Sequence, residues 1–179
     1  MAGMTVSALP SPWVLRPLHA HDVDSLLHIQ TICYGNAFLE SREVFRQRLT
    51  APHHCSVGVV RAGEHTLQAY LAAYWSTLGK ITPLDGPFTP ATAGDPVLYL
   101  HDMSVLPELS GQGVARYLVQ HLMHQARQRG LRHAALVSVQ GSQTYWERQG
   151  FSVCPVLDAQ QSMHLETYGD GALYMTAAL

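Results

Sequence analysis

The chain has 179 residues, of which 47% are apolar and 13% charged, and its formal net charge is -2. That length fits one domain of ordinary size with enough apolar residues for a core. The net charge excludes the strong basic field that non-specific nucleic-acid binding requires, so an anionic ligand has to be held by local geometry.

Residues 1–12, MAGMTVSALPSP, have neither a basic start nor an apolar run. They read as a flexible N-terminus without a signal peptide. A single domain is expected over residues 13–179. WVLRP, 13–17, reads as a short strand. Asp22 is placed to cap a helix whose apolar stripe is Val23, Leu26, Leu27, Ile29, Ile32 and Cys33. A second short helix is expected from Ser41 to Leu49, with Val44, Phe45 and Leu49 inward, closed by Pro52. Two strands follow, about 55–61 and 66–75, around a turn at Ala62–Gly63–Glu64. Residues 76–96 are rich in Gly, Pro and Thr, and a structureless stretch of that length points to a functional or a mobile segment. A strand over about 97–106 leads through PELSGQGVA into a strongly periodic helix, with Val114, Leu118, Leu122 and Ala126 four apart and Ala115, Val119 and Met123 beside them. Gly130 ends that helix. A strand at 134–139, a short helix at about 142–149, a strand in FSVCPV and a last strand near ALYMTAAL complete the chain. Strands alternating with helices favour a mixed α/β sheet.

The three cysteines, Cys33, Cys55 and Cys154, lie far apart. They have no metal-ligand spacing and suggest no disulfide framework, which points to a reducing compartment. The eleven histidines reproduce no ligand pattern with cysteine or carboxylate support, so no metal is expected. Nowhere do about eighteen apolar residues run together, so no membrane association is expected either. Together these features predict a cytoplasmic protein.

The chemistry is carried by strand, glycine turn and helix. Gly111 and Gly113 permit a sharp turn with nothing to block a close ligand. The helix that opens there offers unpaired N–H groups and partial positive charge, a site for phosphate. No Lys-Ser/Thr follows the glycines, so the motif is no P-loop. Arg116 stands where a dinucleotide fingerprint has its third glycine.

In this context the chain resembles the GNAT superfamily of N-acetyltransferases. The family's Gln/Arg-x-x-Gly-x-Gly/Ala signature is matched at Gly113 and Ala115 of Ser110-Gly111-Gln112-Gly113-Val114-Ala115, with Ser110 departing from Gln/Arg. Its aromatic-Tyr-Glu-x-x-Gly-Phe segment is matched by Tyr145-Trp146-Glu147-Arg148-Gln149-Gly150-Phe151. The likeness is strong over 97–156 and loose over 13–96. It implies a mixed, mostly antiparallel sheet of about seven strands with one splayed pair, flanked by about four helices. It implies acetyl-coenzyme A (acetyl-CoA) as co-substrate and an amine as acceptor. Backbone atoms of Met103, Ser104 and Val105 would pair with the pantetheine arm, and an amide near Met103 would polarise the thioester carbonyl. Ser110, Gly111, Gln112, Gly113, Val114, Ala115 and Arg116 would hold the pyrophosphate.

The strand LHDMSV also looks like the histidine-bearing strand of arylalkylamine N-acetyltransferases, with His101 at one histidine position and Tyr99 at the other. An alkylamine, with a pKa near 10.4, is mostly protonated at neutral pH, so attack needs a proton acceptor. His101 suits that task, although a hydrogen-bonded core histidine is an equal reading. Asp102 would face the other side of the strand unless a bulge intervenes. The leaving thiolate is usually protonated by a tyrosine at the position of Trp146. Either the neighbouring Tyr145 takes that role or the thiolate leaves unassisted, and Trp146 would line the pantetheine or acetyl region. Tyr34, Phe38, Tyr74, Trp75 and the 76–96 segment would surround the acceptor, with Tyr34, Tyr99 and Trp75 as the substrate contacts. A small, aromatic-compatible primary amine is the first expectation. A peptide N-terminus, or acyl-CoA binding without turnover, are the alternatives. A homodimer through a sheet edge is compatible with the pattern.

Overall fold

The computed structural model describes residues 8–156 and 158–179. Part of the expected flexible N-terminus, residues 1–7, lies outside the described residues. One seven-stranded sheet organises the rest, in the order β1-β2-β3-β4-β5-β7-β6. Its strands are β1 (Trp13–Pro17), β2 (Val57–Arg61), β3 (Leu67–Thr77), β4 (Pro96–Val105), β5 (His133–Ser138), β6 (Ser152–Val153) and β7 (Leu173–Ala178). All pairings are antiparallel except β4 with β5. The helices are α1 (Val23–Tyr34), α2 (Arg42–Thr50), α3 (Val114–Gln128), α4 (Gln143–Arg148) and α5 (Ala159–Glu166).

Alternation along the strands sorts side chains into two cores. Ala69, Leu71, Leu98 and Leu100 face α3, whose Val114, Leu118, Val119, Leu122 and Ala126 bury the stripe read from the sequence. Tyr70, Tyr74 and Tyr99 face the other way, toward Leu26 and Ile29 of α1 and Phe45 and Leu49 of α2. Ser41 caps α2, its hydroxyl accepting from the Val44 amide at 3.3 Å. Asp22 does not cap α1 with its side chain. It accepts instead from the His19 amide and takes both Arg16 guanidinium nitrogens.

The helix α5 was not legible, because it buries no residue of its own. Its role is polar. Gln161 Oε1 accepts from the Ile81 amide at 2.6 Å, and Thr167, just past the helix, takes the Leu84 amide at 2.8 Å. The segment between β3 and β4 is thereby held in place, with Ile81, Thr82 and Phe88 buried. It is neither helix nor strand, but packing and backbone hydrogen bonds fix it.

Candidate active site

In the middle of β4 the register shifts. Ala73 opposes Leu100, and Ala72 opposes Asp102. His101 is the extra residue of a β-bulge, and a bulge of one residue reverses the faces beyond it. Tyr99 and His101 face α1 and α2, and so do Asp102 and Ser104. Leu98 and Leu100 face α3, and so do Met103 and Val105. The bulge therefore presents two consecutive polar side chains, His101 and Asp102, on one face.

The same point ends the pairing with β5, which stops at Leu100 opposite Leu136. Beyond it the two strands splay. The Leu106 amide donates to the Gln68 carbonyl at 3.0 Å, which sets the antiparallel alternation. The amides of Asp102 and Ser104 turn to β3, and those of Met103 and Val105 turn into the gap. A cavity of about 210 Å³ occupies the opening, lined among others by Leu100, His101, Asp102, Met103, Val137 and Trp146. An adjoining pocket of about 30 Å³ shares Tyr34, His101, Asp102, Val137 and Val139 with it and adds Phe38, Glu40, Leu84 and Tyr168.

On the other side, Tyr145 joins the gap to a wider surface cavity lined by Val105, Ser110, Gly111, Gly113, Val114, Ala115 and Arg116. Gly111 and Gly113 both have left-handed φ, 75° and 76°. Among the described residues, no protein acceptor meets the amides of Gly111, Gly113, Val114, Ala115 or Arg116. Five free amides at the start of a 15-residue helix form a strong anion cradle.

The polar floor of the small pocket is a network. Glu40 takes both terminal nitrogens of Arg48, with Nη1 at 2.7 Å and Nη2 at 2.5 Å, and both side chains are 1% exposed. Arg48 also donates to the Gly86 carbonyl, and the Asp85 amide donates to Glu40. His101 Nε2 lies 3.1 Å from Glu40 Oε2, and its Nδ1 lies 3.4 Å from the Tyr168 hydroxyl. Burial opposes ionisation of Glu40, but His101 and Arg48 outweigh it and hold the carboxyl well below its usual value. Asp102 accepts from Gln30 Nε2 at 3.2 Å, from Tyr34 at 3.1 Å and from the Tyr70 hydroxyl. Burial and the charge of Glu40 raise its carboxyl, the tyrosines and His101 offsetting only part of that.

A model of the acetyltransferase (GNAT) family matches residues 23–151. The chain belongs to the GNAT family. It is an acyltransferase that uses acetyl-CoA. No curated protein matches it significantly in sequence. Solved structures share its fold. The ribosomal-protein-S18-alanine N-acetyltransferase from Escherichia coli is 17% identical, with TM-score 0.65 and 93% of each chain covered. Naa50 of Arabidopsis thaliana, in complex with a bisubstrate analogue, is 9% identical, with TM-score 0.64 over 94% of this chain and 99% of its own. An aminoglycoside acetyltransferase from an uncultured soil metagenomic sample is 12% identical, with TM-score 0.56 over 79% of this chain and 87% of its own.

The structure of this GNAT enzyme gathers some of the residues read from its motifs and separates others. Tyr34, His101, Met103, Tyr145 and Trp146 line the central cavity. Trp75 does not: it stands on β3 opposite Leu98, at a separate cavity, with the Arg129 guanidinium 4.5 Å over its ring. Tyr99 and Tyr74 are fully buried in the aromatic core and line neither the central cavity nor the small pocket. Ser104 turns its backbone to β3, and its buried hydroxyl has no partner among the described residues. Ser110 and Gln112 spend their amides on Pro107 and Leu109 carbonyls. The Gln112 carboxamide bridges Trp13 Nε1 at 2.8 Å and the Glu108 carbonyl at 2.9 Å. His101 lines both the central cavity and the small pocket, with both ring nitrogens engaged and a side chain only 1% exposed. Asp102, Glu40 and Arg48 were missed as a cluster. The available signal was Arg48 itself, which sits inside the apolar stripe of α2 between Phe45 and Leu49. No helix among the described residues is long and apolar enough to cross a membrane.

Proposed function

We propose that this enzyme acetylates the nitrogen of a small primary amine, by direct attack on acetyl-CoA in a ternary complex. The observation that carries the reading is the continuity of three spaces. The amide-lined turn meets the gap at Tyr145, and the gap meets the small pocket at Tyr34, His101 and Asp102. In this reading Gly111, Gly113, Val114, Ala115 and Arg116 hold the pyrophosphate by their amides. The pantetheine arm lies along the gap-facing edge of Met103 and Val105. The Met103 amide stabilises the developing oxyanion. Tyr145, whose buried hydroxyl has no partner among the described residues, gives its proton to the departing thiolate. Burial raises the Tyr145 hydroxyl, partly offset by Arg116, so it stays protonated until needed. Trp146 forms the apolar wall beside it, edge-on to Tyr145 and Phe151.

The size of the acceptor follows from the segment between β3 and β4. Leu84 of that segment and Tyr168 close the small pocket, and α5 locks the segment down. A pocket of about 30 Å³ suits a small amine better than a peptide. The test is coenzyme A release over a panel of small amines and short peptides, beside a calorimetric titration with acetyl-CoA. Release with small amines and not with peptides is expected. Release with peptides alone would replace the acceptor, heat without any release would make the protein an acyl-CoA sensor, and no heat would remove the nucleotide site itself.

A further inference from the structure

The central cavity has two chemically different ends. Tyr34, His101 and Asp102 belong to its α1 and α2 side, where the small pocket opens. Leu71, Leu100, Leu136 and Trp146 line the same cavity but belong to the core packed against α3. The gap between β4 and β5 therefore passes through the plane of the sheet. Leu71 shows how far it goes. That residue stands on β3 opposite Met103, one strand beyond the splayed edge, so the cavity reaches beneath β4. The bulge accounts for the opening. From Leu100 to Met103 the β4 strand spends three residues where β3 spends two, from Ala73 to Leu71. His101 and Asp102 both turn to α1 and α2, so on the α3 face no β4 side chain stands between Leu100 and Met103.

The α3 end is a recess walled by hydrocarbon and one indole. A water held there would need about 2–4 polar partners, and an empty recess in a close-packed core forfeits dispersion contacts. An apolar chain is the occupant that suits it. The trigonal thioester carbon identifies that chain. With acetyl-CoA in the gap, the carbonyl oxygen points to the Met103 amide, and the sulfur points back along the arm toward Val105 and the amide-lined turn. The third substituent, the acyl chain, is left directed to where Leu100 and Leu136 close the gap. The amine approaches from the α1 and α2 side, out of the thioester plane. An acetyl group ends at its methyl. Each further methylene of a longer chain goes deeper, over Leu71 and beside Trp146.

We propose that this recess is an acyl-chain pocket, and that the donors of the enzyme extend beyond acetyl-CoA to propionyl-CoA and butyryl-CoA. This rests on the acetyl-transfer reading above and widens its donor class. The bonds made and broken are the same for each donor. The amine nitrogen bonds to the acyl carbon and the C–S bond breaks. The proton that nitrogen loses replaces the one that Tyr145 gives to sulfur, so a neutral amide and free coenzyme A leave. Leu71 and Trp146 set the length of chain that fits, as floor and side wall. Both are held rigidly. Leu71 is 1% exposed in the middle of β3, and the Trp146 ring is edge-on to both Tyr145 and Phe151. The depth of the recess is therefore fixed by packing.

The experiment is a calorimetric titration of the full chain with coenzyme A, acetyl-CoA, propionyl-CoA and butyryl-CoA, which needs no acceptor. Burying one methylene tightens binding about fourfold. Butyryl-CoA, two methylenes longer than acetyl-CoA, is therefore expected to bind about tenfold tighter or more, with propionyl-CoA between them. Leu71→Phe fills the floor, so the ratio of butyryl-CoA to acetyl-CoA affinity should fall to about one or below. Trp146→Phe shortens the wall instead, so hexanoyl-CoA should gain on butyryl-CoA by about fourfold or more relative to wild type. A merely structural role for either residue would weaken all donors alike and leave these ratios unmoved. Either variant serves if the other does not fold. Butyryl-CoA that binds wild type no tighter than acetyl-CoA overturns the proposal. So does turnover of butyryl-CoA about tenfold or more below that of acetyl-CoA with an amine the enzyme acetylates, since that is the penalty of a methylene that does not fit. Heat with coenzyme A and acetyl-CoA but no gain from the longer chains removes this pocket alone. No heat with any of them removes the nucleotide site and both readings together.

Discussion

Replacing Arg48 with Met tests the network that shapes the pocket. The guanidinium is 1% exposed and makes four contacts, two to Glu40 and two to the Gly86 carbonyl. Methionine fills much of its volume but leaves the Glu40 carboxylate with only the Asp85 amide and His101 as partners. Breaking a buried ion pair from one side costs about 3–5 kcal/mol, mostly from the stranded charge. In a chain of this size each kcal/mol lowers Tm by about 2–4 °C. The expected loss at pH 7.5 is therefore on the order of 12 °C. The sign of its pH dependence is fixed as well. In wild type Glu40 is depressed, so its stabilisation is present above the unfolded carboxylate value and lost as pH falls through the folded one. In Arg48→Met the carboxyl moves up from its wild-type value, with His101 and the Asp85 amide still holding it down, so the loss is full at pH 7.5 and shrinks once pH falls below the value the carboxyl takes in the variant. Melting curves for both proteins at pH 7.5 and pH 4.5 read this directly. Adding Glu40→Gln should return about half the loss at pH 7.5, because it removes the stranded charge. A loss under 3 °C at pH 7.5, or one that grows as pH falls, would refute the reasoning.

Two further predictions concern the nucleotide side. Gly113→Ala meets no atom within 4 Å but must hold φ near +76°, which costs about 1 kcal/mol. Titration should show acetyl-CoA affinity falling at least fivefold as the turn relaxes, and an unchanged affinity would place the anion elsewhere. Tyr145→Phe removes a buried hydroxyl that has no partner among the described residues, so Tm should hold or rise, while kcat drops about tenfold or more if the hydroxyl serves the thiolate. An unchanged kcat with intact acetyl-CoA binding would show that coenzyme A leaves unaided.

Much of the fold was legible because it rests on local signals. The stripe of α3, the two left-handed glycines and the Gly150–Phe151 turn are each specified by neighbours in sequence. The acceptor side was not, because its parts come from distant elements. Glu40, Arg48 and His101 converge from a loop, a helix and a strand. The one-residue bulge that swings Asp102 onto their side follows from packing and has no residue signature. Trp75 shows the converse: an aromatic at a plausible place in the sequence stands opposite Leu98, where β4 is still paired with β5, and lines a separate cavity.

The bridge from Trp13 through the Gln112 carboxamide to the Glu108 carbonyl links the outermost strand of the sheet to the glycine turn. Edge strands fray most readily. Whatever order β1 keeps is therefore shared with the turn, and a nucleotide that immobilises the turn must, by reciprocity, tighten the sheet's far margin. The residue in the middle of the signature motif is thus a tether to the beginning of the domain, and substitutions there would first be felt as a looser sheet rim and only through it as weaker binding.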